Sequence, residues 1–173
     1  MGTSGTAEEN VQNVPGGAPV VVEQVRAETA QRTQAVARGL GERLRAGDLV
    51  ILSGELGAGK TTFTQGLAEG LGVRGPITSP TFVIARVHPS VVGRAPLVHV
   101  DAYRLGSLAE LDDLDLDASV EDSVTVVEWG EGKAEVLAGE RLEVRIERPS
   151  GEEDARLVTI TAHGGEIAAR FAG

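Results

Sequence analysis

The sequence predicts an α/β protein in which a mainly parallel sheet is flanked by helices and carries an antiparallel hairpin at one edge. Three observations point there. Apolar runs of strand length alternate with stretches of helical period, the pattern of strands joined by crossover helices. Two of those runs, at 49–52 and 124–127, are continuously apolar, as expected of buried parallel strands. The last two runs, 142–148 and 156–162, alternate instead and flank the turn-forming stretch 149–154, which reads as a hairpin.

The elements follow in order. Residues 1–18 are rich in Gly, Ser, Thr and Glu with little apolar content, and are expected to be disordered ahead of one domain spanning 19–173. Residues 20–25 form a β-branched run that suits an edge strand. Residues 29–46 have Val36, Leu40 and Leu44 on one helical face, with Thr29 placed to cap the start. Leu49–Ser53 is a short buried strand, and 61–71 is a helix with Phe63, Leu67 and Leu71 on one face. Strands are expected at 81–88, 97–101 and 124–128, and short helices within 107–122, at 131–138 and from 165.

Between the second strand and the second helix lies Gly54-Glu55-Leu56-Gly57-Ala58-Gly59-Lys60-Thr61. This is the phosphate-loop pattern G-x-x-x-x-G-K-[ST] in the strand-to-helix setting its mechanism needs. Gly54, Gly57 and Gly59 allow backbone angles that other residues resist, so the loop can turn its N–H groups toward a polyphosphate. The helix adds the positive end of its dipole. Lys60 is placed for the β- and γ-phosphates, and the Thr61 hydroxyl for Mg²⁺. Residues 54–61 with Thr62 make the expected nucleotide-binding segment. The chain has two lysines, Lys60 and Lys133, against fourteen arginines. A lysine at this position therefore suggests a need for a compact ammonium.

Composition narrows the function. With no cysteine, disulfides, thiolate metal sites and a cysteine nucleophile are excluded. No apolar stretch is long enough to span a bilayer, and the first residues lack the pattern of a secretory signal, so a cytoplasmic protein is expected. The net charge of −10 argues against strong independent nucleic-acid binding. Residues 105–132 hold nine acids and no Lys or Arg, which is either a solvated acidic face or a docking surface for a basic partner.

Turnover needs metal control and a positioned nucleophile as well as a phosphate loop. Glu128 ends an apolar strand where the ligand crevice of a parallel sheet lies, so it can hold Mg²⁺, directly or through water, or orient the attacking water. Asp101 ends another strand, with His99 on the same face. Asp101 suits a metal-ligating or water-positioning role, and a strand histidine such as His99 is more often structural. The hydroxyl-rich stretch Thr78-Ser79-Pro80-Thr81 sits where a γ-phosphate sensor is expected, with Ser79 and Thr81 as switch residues. Tyr103, Arg104 and Trp129 adjoin these segments and suit either the core, the rim of the site or a partner surface.

Four segments taken together resemble the bacterial TsaE family: 54–63, Thr78–Phe82, His99–Arg104 (His-Val-Asp-Ala-Tyr-Arg) and Val127–Glu131 (Val-Glu-Trp-Gly-Glu), in this order and spacing. The resemblance covers about residues 20–148. It implies the ATPase component of the machinery that makes threonylcarbamoyladenosine (t6A) in tRNA, with ATP and Mg²⁺ as cofactors and little activity alone. It implies a partner, the TsaB–TsaD heterodimer, which modifies adenosine 37, with tRNA reached only through that complex. On this resemblance Lys60 contacts phosphate, Thr61 and Glu128 serve Mg²⁺, Asp101 supports hydrolysis, Ser79 and Thr81 form a switch, and Thr33 lies near the adenine. The family often has bulkier apolar residues where this chain has Val100 and Ala102, a difference that touches packing.

Two other classes use the same loop. A small-molecule kinase would need an arginine-rich lid, and 105–132 has no arginine. A nucleotide-binding interaction module without significant hydrolysis would need neither Asp101 nor Glu128. A GTPase is disfavoured because neither lysine is preceded by Asn, as guanine selection would require.

Overall fold

A computed structural model describes residues 18–55, 57–73, 85–101, 120–128, 139–150 and 154–172. The strands are β1 (Val20–Ala27), β2 (Leu49–Gly54), β3 (Ala85–His88), β4 (Leu97–Asp101), β5 (Val124–Glu128), β6 (Arg141–Glu147) and β7 (Arg156–His163). The helices are α1 (Ala30–Arg43), α2 (Lys60–Gly70) and α3 (Gly165–Phe171). Most fall within one to three residues of the sequence expectation. The N-terminal stretch 1–17, the sensor stretch 78–81, and most of the acidic stretch 105–132 lie outside the described residues, as does the helix expected at 131–138.

One seven-stranded sheet runs in the order β1-β7-β6-β2-β5-β4-β3. Its centre is parallel: β6 with β2, β2 with β5, and β5 with β4. The flanks are antiparallel: β1 with β7, β7 with β6, and β3 with β4. The sheet is thus mixed, and two parts of the expectation are corrected. Antiparallel pairing occurs at both flanks. The C-terminal hairpin β6–β7 is not an edge, because β1 pairs along β7 and takes the edge itself. Alternation along a strand reports its two faces and carries no information about which backbone side is paired.

The central strands are buried on both faces, which explains their continuous apolar runs: Leu49 to Leu52 are at most 1% exposed. Alternate strand residues (Val50 and Leu52, Val124 and Val126, Val144 and Ile146, Val158 and Ile160) meet α1, α2 and α3 in one core cluster. Phe63 and Leu67 of α2 are fully buried there. Each such side chain contributes on the order of 2–3 kcal/mol of transfer free energy.

The helix ends are closed by local chemistry. Thr29 caps α1 through its side-chain oxygen, which accepts from Arg32 N at 3.1 Å. The helix stops earlier than its apolar period suggests because Leu44 turns extended. At the end of α2, Val73 N bonds Ala68 O and Gly72 N bonds Glu69 O, the paired bonds of a Schellman cap. Arg94 then ties both helix ends together. Its guanidinium donates to Gly70 O of α2 and to Glu42 O and Leu44 O at the end of α1.

A second tie holds α3. Arg170 donates to both carboxylate oxygens of Asp48, at 2.7 and 2.9 Å, just before β2. Asp48 is 7% exposed, and its Oδ2 also accepts from Arg45 N at 2.8 Å. The Asp48 carboxylate raises the Arg170 pKa by hydrogen bonding, against the opposing effect of burial. Arg170→Ala leaves that carboxylate with one backbone donor in place of a bidentate pair. We expect a loss of about 2 kcal/mol in urea unfolding. A midpoint equal to the parent's would show that the pair adds nothing.

Candidate functional site

The carboxyl ends of β2, β5 and β4 lie side by side. In the sheet register Leu52 pairs with Glu128, and Glu128 pairs with Asp101. The phosphate-loop segment leaves β2 two residues beyond Leu52, so it starts next to both acids. Here three pieces of sequence far apart in the chain converge.

The loop's backbone is shaped for this. Gly57 has φ of 80° and Gly59 has φ of 107°, both left-handed and unfavourable for other residues. Gly54 is required for a different reason than the one expected. Its φ is not positive, but a Cβ there would stand 2.7 Å from the Ile146 carbonyl oxygen of neighbouring β6. Ala58 N bonds Glu55 O at 2.9 Å, closing a tight turn within the loop. Gly59 then begins α2 with no side-chain cap, so the first-turn N–H groups take no partner from the cap side chain.

Lys60 is 7% exposed and folds back so that its Nζ donates to Gly54 O at 2.9 Å. Burial lowers its pKa from the usual lysine value, while the charges of Glu128 and Asp101 act in the opposite sense. Both acids therefore bear electrostatically on Lys60. Thr61 and Thr62 occupy the first turn of α2 and are partly buried. Thr64 is engaged elsewhere, donating to Lys60 O at 2.9 Å.

Glu128 is 5% exposed and is held by His99. His99 Nε2 donates to Glu128 Oε2 at 2.8 Å, and the imidazole is wholly buried. The other ring nitrogen, Nδ1, is also buried and has no hydrogen-bond partner among the described residues. His99 thus orients the carboxylate, and sequence alone had left its role between structural and functional. Glu128, Asp101 and Thr61 offer only hard oxygen donors, a set that fits Mg²⁺, which takes one or two carboxylates plus phosphate and water rather than a full protein cage. No group of three or more His, Cys, Asp or Glu that could hold a metal ion occurs among the described residues.

Other expected residues stand differently. Thr33 is 1% exposed, and its hydroxyl donates to Thr29 O at 3.4 Å within the first turn of α1. Leu56, Ser79, Thr81, Tyr103, Arg104 and Trp129 lie outside the described residues.

Two arginines at the loop were missed in the sequence. Arg148, just after β6, donates from Nη2 to Gly57 O at 2.9 Å. Arg156, at the start of β7, donates from Nε to Ala58 O at 2.7 Å. Among fourteen arginines, no local signal marks these two. A cavity of about 1010 Å³ opens beside the loop, and Gly54, Glu55, Lys60, Arg145 and Arg148 are among the residues that line it. No described helix is long and apolar enough to cross a membrane.

Residues 27–158 match the family model described as "Threonylcarbamoyl adenosine biosynthesis protein TsaE". A protein from Streptomyces coelicolor named tRNA threonylcarbamoyladenosine biosynthesis protein TsaE is 66% identical over 130 residues, covering 73% of this chain and 88% of its own length. A protein of the same name from Bacillus subtilis is 42% identical over 135 residues, covering 78% of this chain and 82% of its own. A crystal structure of Bacillus subtilis YdiB superposes with a TM-score of 0.67 at 34% identity, over 88% of this chain and 91% of that one. Sequence, fold and the converging site agree, and this chain belongs to the TsaE family of threonylcarbamoyl adenosine biosynthesis proteins.

Proposed function

We propose that this chain is a Mg²⁺-dependent P-loop ATPase that acts with the TsaB–TsaD pair in threonylcarbamoylation of tRNA adenosine 37. The observation that carries the reading is the convergence of the 54–61 loop with Glu128 and Asp101, both of which bear on the Lys60 ammonium. The partner assignment rests on family membership.

In this reading the N–H groups of the loop and of the first turn of α2 hold the β- and γ-phosphates. Lys60 exchanges the Gly54 carbonyl for phosphate oxygens and balances charge as it builds on the leaving group. Thr61 and Glu128 would hold Mg²⁺, which would supply positive charge to offset that of the phosphates. His99 keeps Glu128 in one rotamer, so little reorganisation is needed on binding. Asp101, in register with Glu128, positions the attacking water.

The test measures ATP hydrolysis by the purified chain alone and with the cognate TsaB–TsaD pair, for the parent and for Glu128→Ala. Slow parental hydrolysis that rises with the pair is expected. Glu128→Ala should bind nucleotide within a few-fold of the parent and lose on the order of 10²-fold in turnover. Fast parental hydrolysis indifferent to the pair would rule out the partner-controlled reading. A normal rate for Glu128→Ala would remove this carboxylate from the chemistry.

A further inference from the structure

The C-terminal hairpin does more than extend the sheet. The two sides of its turn reach the phosphate loop. Arg148 follows β6 and Arg156 opens β7, and each donates to a different loop carbonyl, Gly57 O and Ala58 O. Arg156 is itself fixed in place, because its Nη1 donates to Ala155 O at 2.8 Å while its Nε serves Ala58. Counting Lys60 on Gly54 O, three carbonyls of the loop accept hydrogen bonds from cationic side chains.

The consequence lies in the peptide plane. Across a trans peptide the C=O and the following N–H point in opposite directions. Holding Ala58 C=O toward Arg156 aims the Gly59 N–H the other way. Gly59 has φ of 107° and ψ of 22°, a region where glycine has broad freedom, so its flanking peptide planes can rotate at small cost unless something holds them. Arg156 supplies that constraint for the 58–59 plane through Ala58 O, and Arg148 holds the neighbouring 57–58 plane through Gly57 O, both on charge-assisted hydrogen bonds. The 59–60 plane is held by the Phe63 N–H on Gly59 O at 2.9 Å.

We propose that Arg148 and Arg156 are positioning residues that lock the carbonyls of Gly57 and Ala58 outward, so that the loop is organised to receive a polyphosphate before it arrives. This rests on the phosphate-loop reading given above. Neither arginine needs to touch the nucleotide. Their contribution is to the affinity for the anion and to the fraction of loops ready to bind it.

The experiment compares the parent with Arg156→Ala, Arg156→Lys and Arg148→Ala, reading the Kd for ATP and ADP, the kcat and KM for hydrolysis, and the melting temperature without nucleotide. Arg156→Ala should weaken both nucleotides by about tenfold and raise KM more than it lowers kcat, with a nucleotide-free melting temperature close to the parent's. Arg156→Lys should fail to rescue, because one ammonium cannot hold Ala58 O and Ala155 O in the planar geometry of a guanidinium. Full rescue by lysine would replace positioning with bulk charge and overturn the proposal. If Arg156→Ala does not fold, Arg148→Ala, which removes an exposed side chain, decides the matter through a several-fold loss in affinity. Parental affinity in Arg148→Ala would then overturn the proposal. If the parent and Lys60→Ala bind ATP differently while all three arginine variants match the parent, the positioning role fails and the phosphate-loop reading stands. A parent that binds neither ATP nor ADP would defeat both.

Discussion

Lys60→Ala is expected to abolish ATP turnover and to weaken ATP binding by 10-fold or more, with little loss of stability. The two halves of that statement have one origin. The ammonium lies 7% exposed, and burial lowers its pKa, so holding it charged there is a cost to the fold. Removing it relieves that cost but loses the 2.9 Å bond to Gly54 O and the attraction to Glu128 and Asp101, changes of opposite sign. For nucleotide the balance is one-sided. Without Lys60, the charges of Glu128 and Asp101 face the incoming triphosphate with no ammonium between them. Lys60→Arg should also be inactive, because the enclosed position suits a compact ammonium and not a planar fork. The measurements are nucleotide affinity, hydrolysis rate and melting temperature. Unchanged affinity and turnover would mean that this loop is not the site.

Gly66→Ala should be strongly destabilising, as should a methyl at Gly41 or Gly70 on the same α1–α2 crossing. Gly66 lies in α2 where α1 crosses it. A Cβ built there would stand 2.3 Å from the Gln34 carbonyl oxygen and 2.7 Å from the Ala37 Cβ. The first of these is backbone, so no rotamer change can make room. The two helices would have to move apart, opening the packing around Leu40, Phe63 and Leu67. A cost of about 3 kcal/mol is expected, a large part of a typical domain's stability, with a melting temperature roughly 6–12 °C lower. Because α2 carries Lys60 and Thr61 at its start, nucleotide affinity should fall as well. Gly39→Ala is the internal contrast. It lies in α1, is exposed, and has nothing within 4 Å of the added carbon. That change should stabilise by about 0.5–1 kcal/mol through helix propensity. Equal melting temperatures for the two variants would refute the packing argument.

Much of this protein was legible in its residues because the relevant physics is local. The glycines and Lys-Thr of 54–61 encode backbone angles and charge within one turn of chain. The continuous apolar runs at 49–52 and 124–127 encode burial on two faces, and Glu128 and Asp101 could be named as strand-terminal acids from position alone. What the sequence by itself determined, then, was the element order, the glycine-rich 54–61 segment between strand and helix, and the strand-terminal acids beside it.

Only the tertiary structure decided how those parts meet. The register that sets Asp101 against Glu128 is a pairing between strands, and no period within either strand specifies it. The same register lets buried His99 reach the Glu128 carboxylate, which turned a histidine of open role into its orienting group. Arg148 and Arg156 act on a loop 91 and 98 residues earlier in the chain, a separation across which composition says nothing. The first run had suited an edge strand, but that it lies along the hairpin and displaces it from the edge was not legible, since hydrophobic alternation describes faces and not backbone neighbours. Dihedral preference and periodicity are short-range properties, whereas register, edge order and the partner of a buried polar atom are settled by contacts that exist only once the chain has folded.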